Sequence, residues 1–265
     1  MFSRRHFVIS AFALSAFASG AAHADQLADI KKKGEIVFGV LVTDEPNSFI
    51  EPKTRQLVGY EIDLAAAVAK KLGVKPVFKQ MAVSARIPEL QQGHVDILAA
   101  TLTHNKEREA QVDFALTHFV TGSKVMVRAA GGVKELGQLA GKKVVVGRGT
   151  TGETFLKAAV PDAELVYVDQ FAPDGVLQLQ QKRVDAAIED SSLLDYLATQ
   201  NPTLVTLAGL YSNDPIGIAV AKGDPEFVRW LDMFVSDYIQ SGAYEANYKK
   251  WWGETANPPE LNPTW

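Results

Sequence analysis

Residues 86–108, RIPELQQGHVDILAATLTHNKER, place a helix pattern directly before a buried-strand pattern. Pro88 stands near the start of a short amphipathic helix, and Gly93 ends it, as proline and glycine commonly do at helix ends. The short apolar run over residues 95–100 predicts a buried strand. This succession of helix, glycine and strand is typical of an α/β fold.

Polar side chains follow the predicted strand at once. Thr101, Thr103, Asn105 and Arg108 come after it, and Arg86 stands at the other end of the stretch. In open α/β sheets, ligands bind at the carboxyl ends of strands. The rigid fork of arginine suits a planar carboxylate. The stretch therefore predicts a small anionic or zwitterionic ligand.

Helix and strand patterns alternate on both sides of this stretch. Strands are predicted at residues 35–42 and 74–81 with a helix between them, and a second series begins at residues 142–146. Such alternation favours a mostly parallel sheet with right-handed crossovers. In addition, LQQGHVD at residues 90–96 matches LQQKRVD at residues 179–185 at five of seven positions. Both copies stand where a predicted helix meets a strand, so we expect two lobes of similar build.

The lobe boundaries are predicted from small-residue and turn segments. The loop at residues 129–132 marks one crossing, and the segment at residues 212–217 marks the other. The first lobe would then comprise residues 25–127 and 217–265, and the second lobe residues 128–216. The first lobe would be discontinuous in sequence.

The composition excludes several classes of function. The chain has 265 residues, a net charge of −4 and no cysteine. Disulfides, thiolate catalysis and cysteine-ligated metals are therefore excluded. A nucleic-acid-binding protein would require a basic face, which this acidic composition does not indicate. We expect no cofactor and no metal.

The N-terminus has the pattern of an export signal. Arg4 and Arg5 precede an apolar run at residues 7–17, and Ala22-His23-Ala24 offers a small-residue cleavage site. The apolar run is too short to span a bilayer. We expect residues 1–24 to be removed after export by the general or the twin-arginine route. The mature chain would be a soluble periplasmic protein.

The glycine motif GRGTTG at residues 147–152 has two interpretations. It matches the dinucleotide-binding pattern, with Asp169 at about the expected distance, and so allows an NAD-dependent oxidoreductase. Alternatively, Thr150 and Thr151 open a helix whose N-terminus would bind a carboxylate. The motif alone does not decide between them.

Four motifs together resemble a known family. VGYEIDLAAAVAKKLG (58–73), RIPELQQGHVDILAATLTHNKEREAQVDF (86–114), GKKVVVGRGTTGETF (141–155) and VDAAIEDSSLL (184–194) occur in the order seen in bacterial extracellular solute-binding proteins for polar amino acids. The glutamate/aspartate-binding members of ABC importers are the most similar. The resemblance implies the type II periplasmic binding protein fold, in which two α/β lobes joined by two crossover strands close on the ligand. It also implies a monomeric, non-enzymatic receptor that delivers its amino acid to the transmembrane subunits of a permease.

The resemblance assigns roles to individual residues. Arg108 would clamp the ligand α-carboxylate, and Asp190 would accept from the α-ammonium group. Hydroxyl and backbone donors would come from both lobes, at Thr101, Thr103, Thr150 and Thr151.

The residues that would set the ligand preference indicate different ligands. Arg86 would meet a distal carboxylate, which favours glutamate or aspartate. Asp44 departs from the similar members and resembles the acid of basic-amino-acid binders. It could also orient Arg86 or shift the preference to neutral amides. Phe49 would supply the aromatic contact in the same loop. A cyclohexadienyl-dehydratase-like enzyme remains an alternative, with Glu189 or Asp44 as its general acid.

Overall fold

The computed structural model describes residues 25–261 and contains two α/β lobes. The predicted export signal, residues 1–24, lies outside the described residues, as do residues 262–265. Among the helices that are described, none combines the length and the apolar character needed to cross a membrane. The predicted two-lobed α/β class is confirmed.

The first part of the chain builds most of one lobe. Its elements are α1 (Gln26–Lys33), β1 (Glu35–Val40), β2 (Thr43–Asp44), β3 (Ser48–Ile50), β4 (Leu57–Val58), α2 (Tyr60–Leu72), β5 (Lys75–Gln80), α3 (Arg86–Gln91), β6 (Ile97–Leu98), α4 (Lys106–Glu109) and β7 (Asp113–Thr121).

The chain then forms the second lobe and returns to the first. The elements of the second lobe are β8 (Ser123–Arg128), β9 (Lys143–Gly147), α5 (Thr151–Ala159), β10 (Glu164–Val168), α6 (Val176–Gln180), β11 (Ala186–Asp190), α7 (Ser191–Gln200) and β12 (Leu204–Thr206). The returning elements are β13 (Asp214–Val220), α8 (Pro225–Gln240) and α9 (Ala243–Trp252).

The two large sheets have matching strand orders. The first sheet runs β5-β1-β6-β13-β7 and the second runs β10-β9-β11-β8-β12. In each sheet three parallel strands are followed by two strands joined by antiparallel pairing. Separate apolar clusters cover the two faces of each sheet, so each lobe has its own core. Parallel strands buried on both faces explain why the strand patterns are almost continuously apolar.

The internal sequence match corresponds to the same joint in both lobes. Asp96 accepts a hydrogen bond from the Val37 amide of β1 at 2.8 Å, and Asp185 accepts from the Lys143 amide of β9 at 3.0 Å. Each aspartate thus ties the segment entering the middle strand of its sheet to the neighbouring parallel strand.

The two chain crossings between the lobes run side by side. Thr121 of β7 pairs with Asp214 of β13, and the Ser123 amide donates to the Ser212 hydroxyl at 2.7 Å. Gly122 lies between them, where an added Cβ would approach the Ser212 carbonyl oxygen to 2.2 Å. Only glycine allows the two crossings to approach so closely.

The structure differs from the sequence prediction in three places. The predicted strand at residues 95–100 is reduced to β6 (Ile97–Leu98), because only these two residues pair with both neighbouring strands, and the φ of +47° at Thr101 then turns the chain. The segment between β1 and α2, where the sequence indicates no strand, contains a small antiparallel sheet of β2, β3 and β4. Residues 123–127 pair within the second sheet, and residues 214–216 within the first. We therefore propose lobe limits of 25–121 with 214–261, and of 123–212.

A substitution at the crossing tests its packing. Gly122→Ala should lower the free energy of unfolding by about 1–3 kcal/mol, because the methyl group forces the crossings apart. Gly137→Ala is the matched control, since a Cβ at Gly137 would meet no atom within 4 Å. Urea unfolding of both variants measures the difference, and equal stabilities would contradict the steric explanation.

Candidate functional site

A cavity of about 440 Å³ lies between the two lobes. Its walls come from the carboxyl ends of strands in both sheets, including Gln80 of β5, Thr101 after β6, Thr150 after β9 and Asp190 of β11. This is where the rule for open α/β sheets places a ligand. Of the predicted site residues, those lining the cavity are Asp44, Arg86, Thr101, Thr103, Arg108, Thr150, Thr151 and Asp190.

Phe49 is the predicted site residue that does not line this cavity. It is buried in β3, and its ring packs edge-on against Trp251, with centroids 5.8 Å apart. In this structure its aromatic surface joins the small sheet to α9 instead.

Arg108 is held by main-chain carbonyls from both lobes. Its Nη1 donates to Thr103 at 2.8 Å, and its Nη2 donates to Gly149 of the second lobe at 3.0 Å. Burial, followed by the nearby Arg86 charge, lowers the pKa of Arg108 to about 10, so the group stays cationic at neutral pH. Within residues 25–261 it forms no ion pair. A buried cation of this kind is completed by an anionic ligand group.

Arg86 is a second buried guanidinium facing the same cavity. Nε donates to Val83 at 2.9 Å, and Nη1 donates to Ala100 at 2.8 Å and Thr101 at 2.9 Å. Among the described residues no partner binds Nη2. The main chain thus fixes the direction of Arg86 and leaves one donor nitrogen for a ligand.

Two neighbouring carboxyl groups face these arginines from the second lobe. Asp190 ends β11, and its side chain accepts no hydrogen bond from the described residues. Burial, together with the negative charges of Glu189, Asp214 and Asp44, raises the pKa of Asp190 well above its usual range. Burial also raises the pKa of Glu189 to about 7, and its Oε2 is buried without a partner in the described chain. Both carboxyls therefore favour a ligand that brings hydrogen-bond donors or positive charge.

Asp44 is connected to Glu61 through Thr101. The Thr101 hydroxyl contacts the Asp44 carboxylate and lies 3.0 Å from Oε2 of Glu61. The Thr101 amide also donates to both oxygens of Glu61, at 3.0 and 2.9 Å. Positive φ is rare for a β-branched residue, so these contacts hold Thr101 in a strained conformation at the cavity wall.

The polar groups of the glycine motif form hydrogen bonds within their own segment. Thr150 caps α5 by accepting from the Glu153 amide at 3.1 Å, and its hydroxyl donates to Gly147 at 2.9 Å. The Gly149 amide donates to the Glu153 carboxylate at 2.7 Å. A bound phosphate would need the Gly149 amide as a donor, but this amide already donates to Glu153. This weakens the dinucleotide interpretation.

The sequence prediction missed some of the polar wall. Gln80 lines the cavity at the carboxyl end of β5, so the strand-end rule applied to every strand would have found it. The sequence indicates Glu189 only as the general acid of the enzyme alternative, although it too lines the cavity. Glu61 was not predicted, since its position behind Thr101 depends on packing between distant segments.

Comparison with known proteins identifies the family. The profile of the bacterial extracellular solute-binding proteins, family 3, matches residues 36–254. The chain belongs to this family.

Several relatives of different specificity are similar to this chain. The L-glutamate/L-aspartate-binding protein of Pseudomonas aeruginosa is 30% identical over 96% of this chain and 90% of its own length. An ABC transporter glutamine-binding protein of Bacillus subtilis is 29% identical, covering 86% of this chain and 84% of its own. The structure of an ancestral arginine-binding protein bound to glutamine superposes with a TM-score of 0.79 at 35% identity, covering 83% and 98% of the two chains.

Family membership settles the coarse function. The protein is a solute-binding protein of the type II periplasmic fold, as the sequence predicted. The relatives are transport binding proteins, which points away from the oxidoreductase and dehydratase alternatives. The relatives differ in ligand, so membership leaves the preference for glutamate or aspartate undecided.

The buried carboxyl groups predict how stability depends on pH. Burial raises the pKa of Asp44 to about 6 and those of Glu61 and Glu189 to about 7. The folded state then binds more protons than the unfolded state between about pH 4 and 7, so stability falls as pH rises through this window. We expect the ligand-free protein to unfold at lower urea concentration at about pH 7.5 than at about pH 5.5.

Matched variants test the source of this dependence. Glu189→Gln cannot ionise at this position and should reduce the loss of stability between the two pH values. Glu164→Gln, which replaces an exposed carboxyl of the same lobe, should leave the loss unchanged. An identical pH profile for Glu189→Gln and the wild type would exclude Glu189 as a contributor.

Proposed function

We propose that this protein is the amino-acid-binding component of an ABC importer, and that it holds its ligand between the lobes and delivers it to the permease. The observation that carries the proposal is the placement of Arg108 and Asp190. They are a buried guanidinium and a buried carboxyl on opposite lobes, they face one cavity, and neither forms an ion pair among the described residues. An α-amino acid supplies the complementary pair of charges on two groups attached to one carbon atom.

The α-carboxylate is assigned to Arg108. Two of its donors are fixed on carbonyl groups, so the guanidinium is oriented before the ligand arrives. Thr103 and the start of α5, at Thr150 and Thr151, line the same cavity. The amide groups at the start of that helix and the helix dipole favour a negative group there.

The α-ammonium group is assigned to Asp190. Its carboxyl is buried among other negative charges, so it gains most from a cation. Because Arg108 and Asp190 belong to different lobes, a bound zwitterion links the lobes. The ligand thereby stabilises the closed arrangement, as expected for hinged binding proteins.

The ligand side chain meets one donor and one acceptor that lack partners in the described chain. Arg86 offers Nη2, and Glu189 presents a buried Oε2. A carboxamide both accepts and donates hydrogen bonds, and it adds no charge to a wall that already contains Asp44 and Glu189. We therefore propose glutamine as the preferred ligand.

Glutamate or aspartate is the second candidate, as the sequence predicted. Arg86 supports it, because a guanidinium suits a carboxylate better than an amide. The glutamate/aspartate-binding relative is also similar over nearly the whole chain. An acidic side chain would require Glu189 to be protonated, so its binding should strengthen as pH falls through about 7.

We also propose where the protein acts and what it binds. The predicted export signal and the extracellular family support action outside the cytoplasm. We propose that the mature protein acts there as a monomer, without nucleic acid, and that the transmembrane subunits of a permease are its partner.

Calorimetry on protein stripped of carried-over ligand by unfolding and refolding tests the function. Glutamine, glutamate, aspartate, asparagine, arginine, histidine and NAD are titrated in turn. Arg108→Met should weaken binding of the preferred amino acid by about 2–5 kcal/mol, roughly 30-fold or more. Arg148→Ala is the control, because Arg148 is exposed and stacks on Tyr167. Binding of NAD without an amino-acid response would overturn the proposal.

A second set of variants tests the side-chain assignment. Glu189→Gln removes the acceptor charge opposite Arg86 and should shift the preference from glutamine towards glutamate. Arg86→Met should weaken both ligands, and glutamate the more. Retention of glutamate binding by Arg86→Met would contradict the contact between Arg86 and the side chain.

A further inference from the structure

A single hydroxyl group stands between two buried carboxyl groups at the cavity wall. Oγ1 of Thr101 contacts Oδ2 of Asp44 and lies 3.0 Å from Oε2 of Glu61. A hydroxyl has one proton to donate. If both carboxyls were ionised, the threonine oxygen would face one of them with a lone pair. One proton on either carboxyl removes this conflict and gives a continuous chain of donors and acceptors.

No cation pairs directly with either carboxyl among the described residues, although the charge of Arg86 lowers the pKa of both. Neither carboxyl forms an ion pair with Lys or Arg in the part of the chain that the structure describes. His118 lies 3.7 Å from Glu61, but burial lowers the pKa of His118 to about 3 and keeps it neutral. The titratable and charged groups that face the two carboxyls are Glu45, Tyr60, Arg86, His118, Glu189 and Asp190.

We propose that Glu61, Thr101 and Asp44 hold one shared proton at neutral pH, and that Glu61 is a positioning residue that sets the charge Asp44 presents to the ligand. Glu61 does not itself line the cavity, whereas Asp44 and Thr101 do. It acts through the Thr101 hydroxyl and through the two hydrogen bonds that it accepts from the Thr101 amide.

The surroundings of the two carboxyls agree with a retained proton. Burial raises the pKa of both, and for Glu61 the charge of Asp44 is the next contribution. Two carboxyls that interact this closely lose their protons in two steps that belong to the pair. At neutral pH the pair then has one negative charge, and above it two.

The second charge matters for the ligand side chain, and here the inference rests on the proposed function. Glutamine adds no charge beside Asp44, whereas glutamate adds one. Loss of the shared proton should therefore weaken glutamate relative to glutamine, by up to roughly tenfold per pH unit. Asp190 contacts the ammonium group of both ligands, so its titration cancels in the ratio of their dissociation constants.

The first experiment needs no ligand. NMR of the side-chain carboxyl carbons, assigned with Asp44→Asn and Glu61→Gln, follows the titration of both groups in the ligand-free protein. We expect one ionisation of the pair to occur near or above neutral pH. Completion of both ionisations below about pH 5 would overturn the shared proton, whatever the protein binds.

The second experiment measures the ratio of the glutamate and glutamine dissociation constants by calorimetry at about pH 6.5 and 8.5. It is made in the Glu189→Gln background, because Glu189 also titrates at the cavity wall. The ratio should rise roughly tenfold or more with pH. Adding Glu61→Gln should hold the ratio constant within about twofold, since the introduced side-chain amide donates permanently to Thr101.

Controls separate this outcome from a general loss of structure. Asp232→Asn replaces a partly buried carboxyl that accepts from Leu116 elsewhere in the first lobe, and it should keep the rise. If Glu61→Gln does not fold, Asp44→Asn removes the other end of the pair and should flatten the ratio likewise. A rise that persists in either variant would overturn the role of Glu61. Absence of amino-acid binding would instead refute the proposed function and leave the NMR titration to decide on the proton.

Discussion

Buried positive charge without a carboxylate partner is the constraint on which the arrangement of the lobes depends. Arg86 and Arg108 are oriented by main-chain carbonyls, which satisfy donors but do not neutralise charge. An unpaired buried ion is costly, and removal from water strengthens its attraction to a counter-charge. Burial among other acidic groups raises the pKa of Asp190, so a cation beside it would favour its ionised form. On the proposed function, ligand binding and contact between the lobes would therefore be stabilised by the same electrostatic interactions.

The features that depend on residues close together in the sequence could be predicted. The helix–glycine–strand succession indicated the α/β class, and the residues that follow strands indicated where polar groups would converge. Thr101 was indicated in this way, because it comes directly after the strand pattern of residues 95–100, and it lines the cavity. The roles of Arg108 and Asp190 came from the family resemblance. The match between residues 90–96 and 179–185 indicated two similar lobes. In the structure the matching residues Asp96 and Asp185 form equivalent hydrogen bonds.

The parts that depend on distant contacts could not be predicted. Glu61 reaches Thr101 across 40 residues of sequence, and nothing near Glu61 indicates that partner. Phe49 turns from the cavity to Trp251, which comes from the last helix. The chain turns after β6 with a positive φ at Thr101, a conformation that residue type alone would argue against. Ligand preference belongs to this group, because it depends on how several buried charges balance.

The adjacent chain crossings have a consequence for the architecture as a whole. Every strand of the second sheet lies in one uninterrupted stretch of sequence, whereas the first sheet is assembled from two stretches. Thr121 and Asp214, where those two stretches meet, are paired neighbours, and such residues have Cα atoms only about 5 Å apart. The second lobe is thus an insertion with adjoining ends, which a very short linker could replace. The first lobe could in this way be made as a contiguous chain that retains Arg86 and Arg108 without the lobe that covers them.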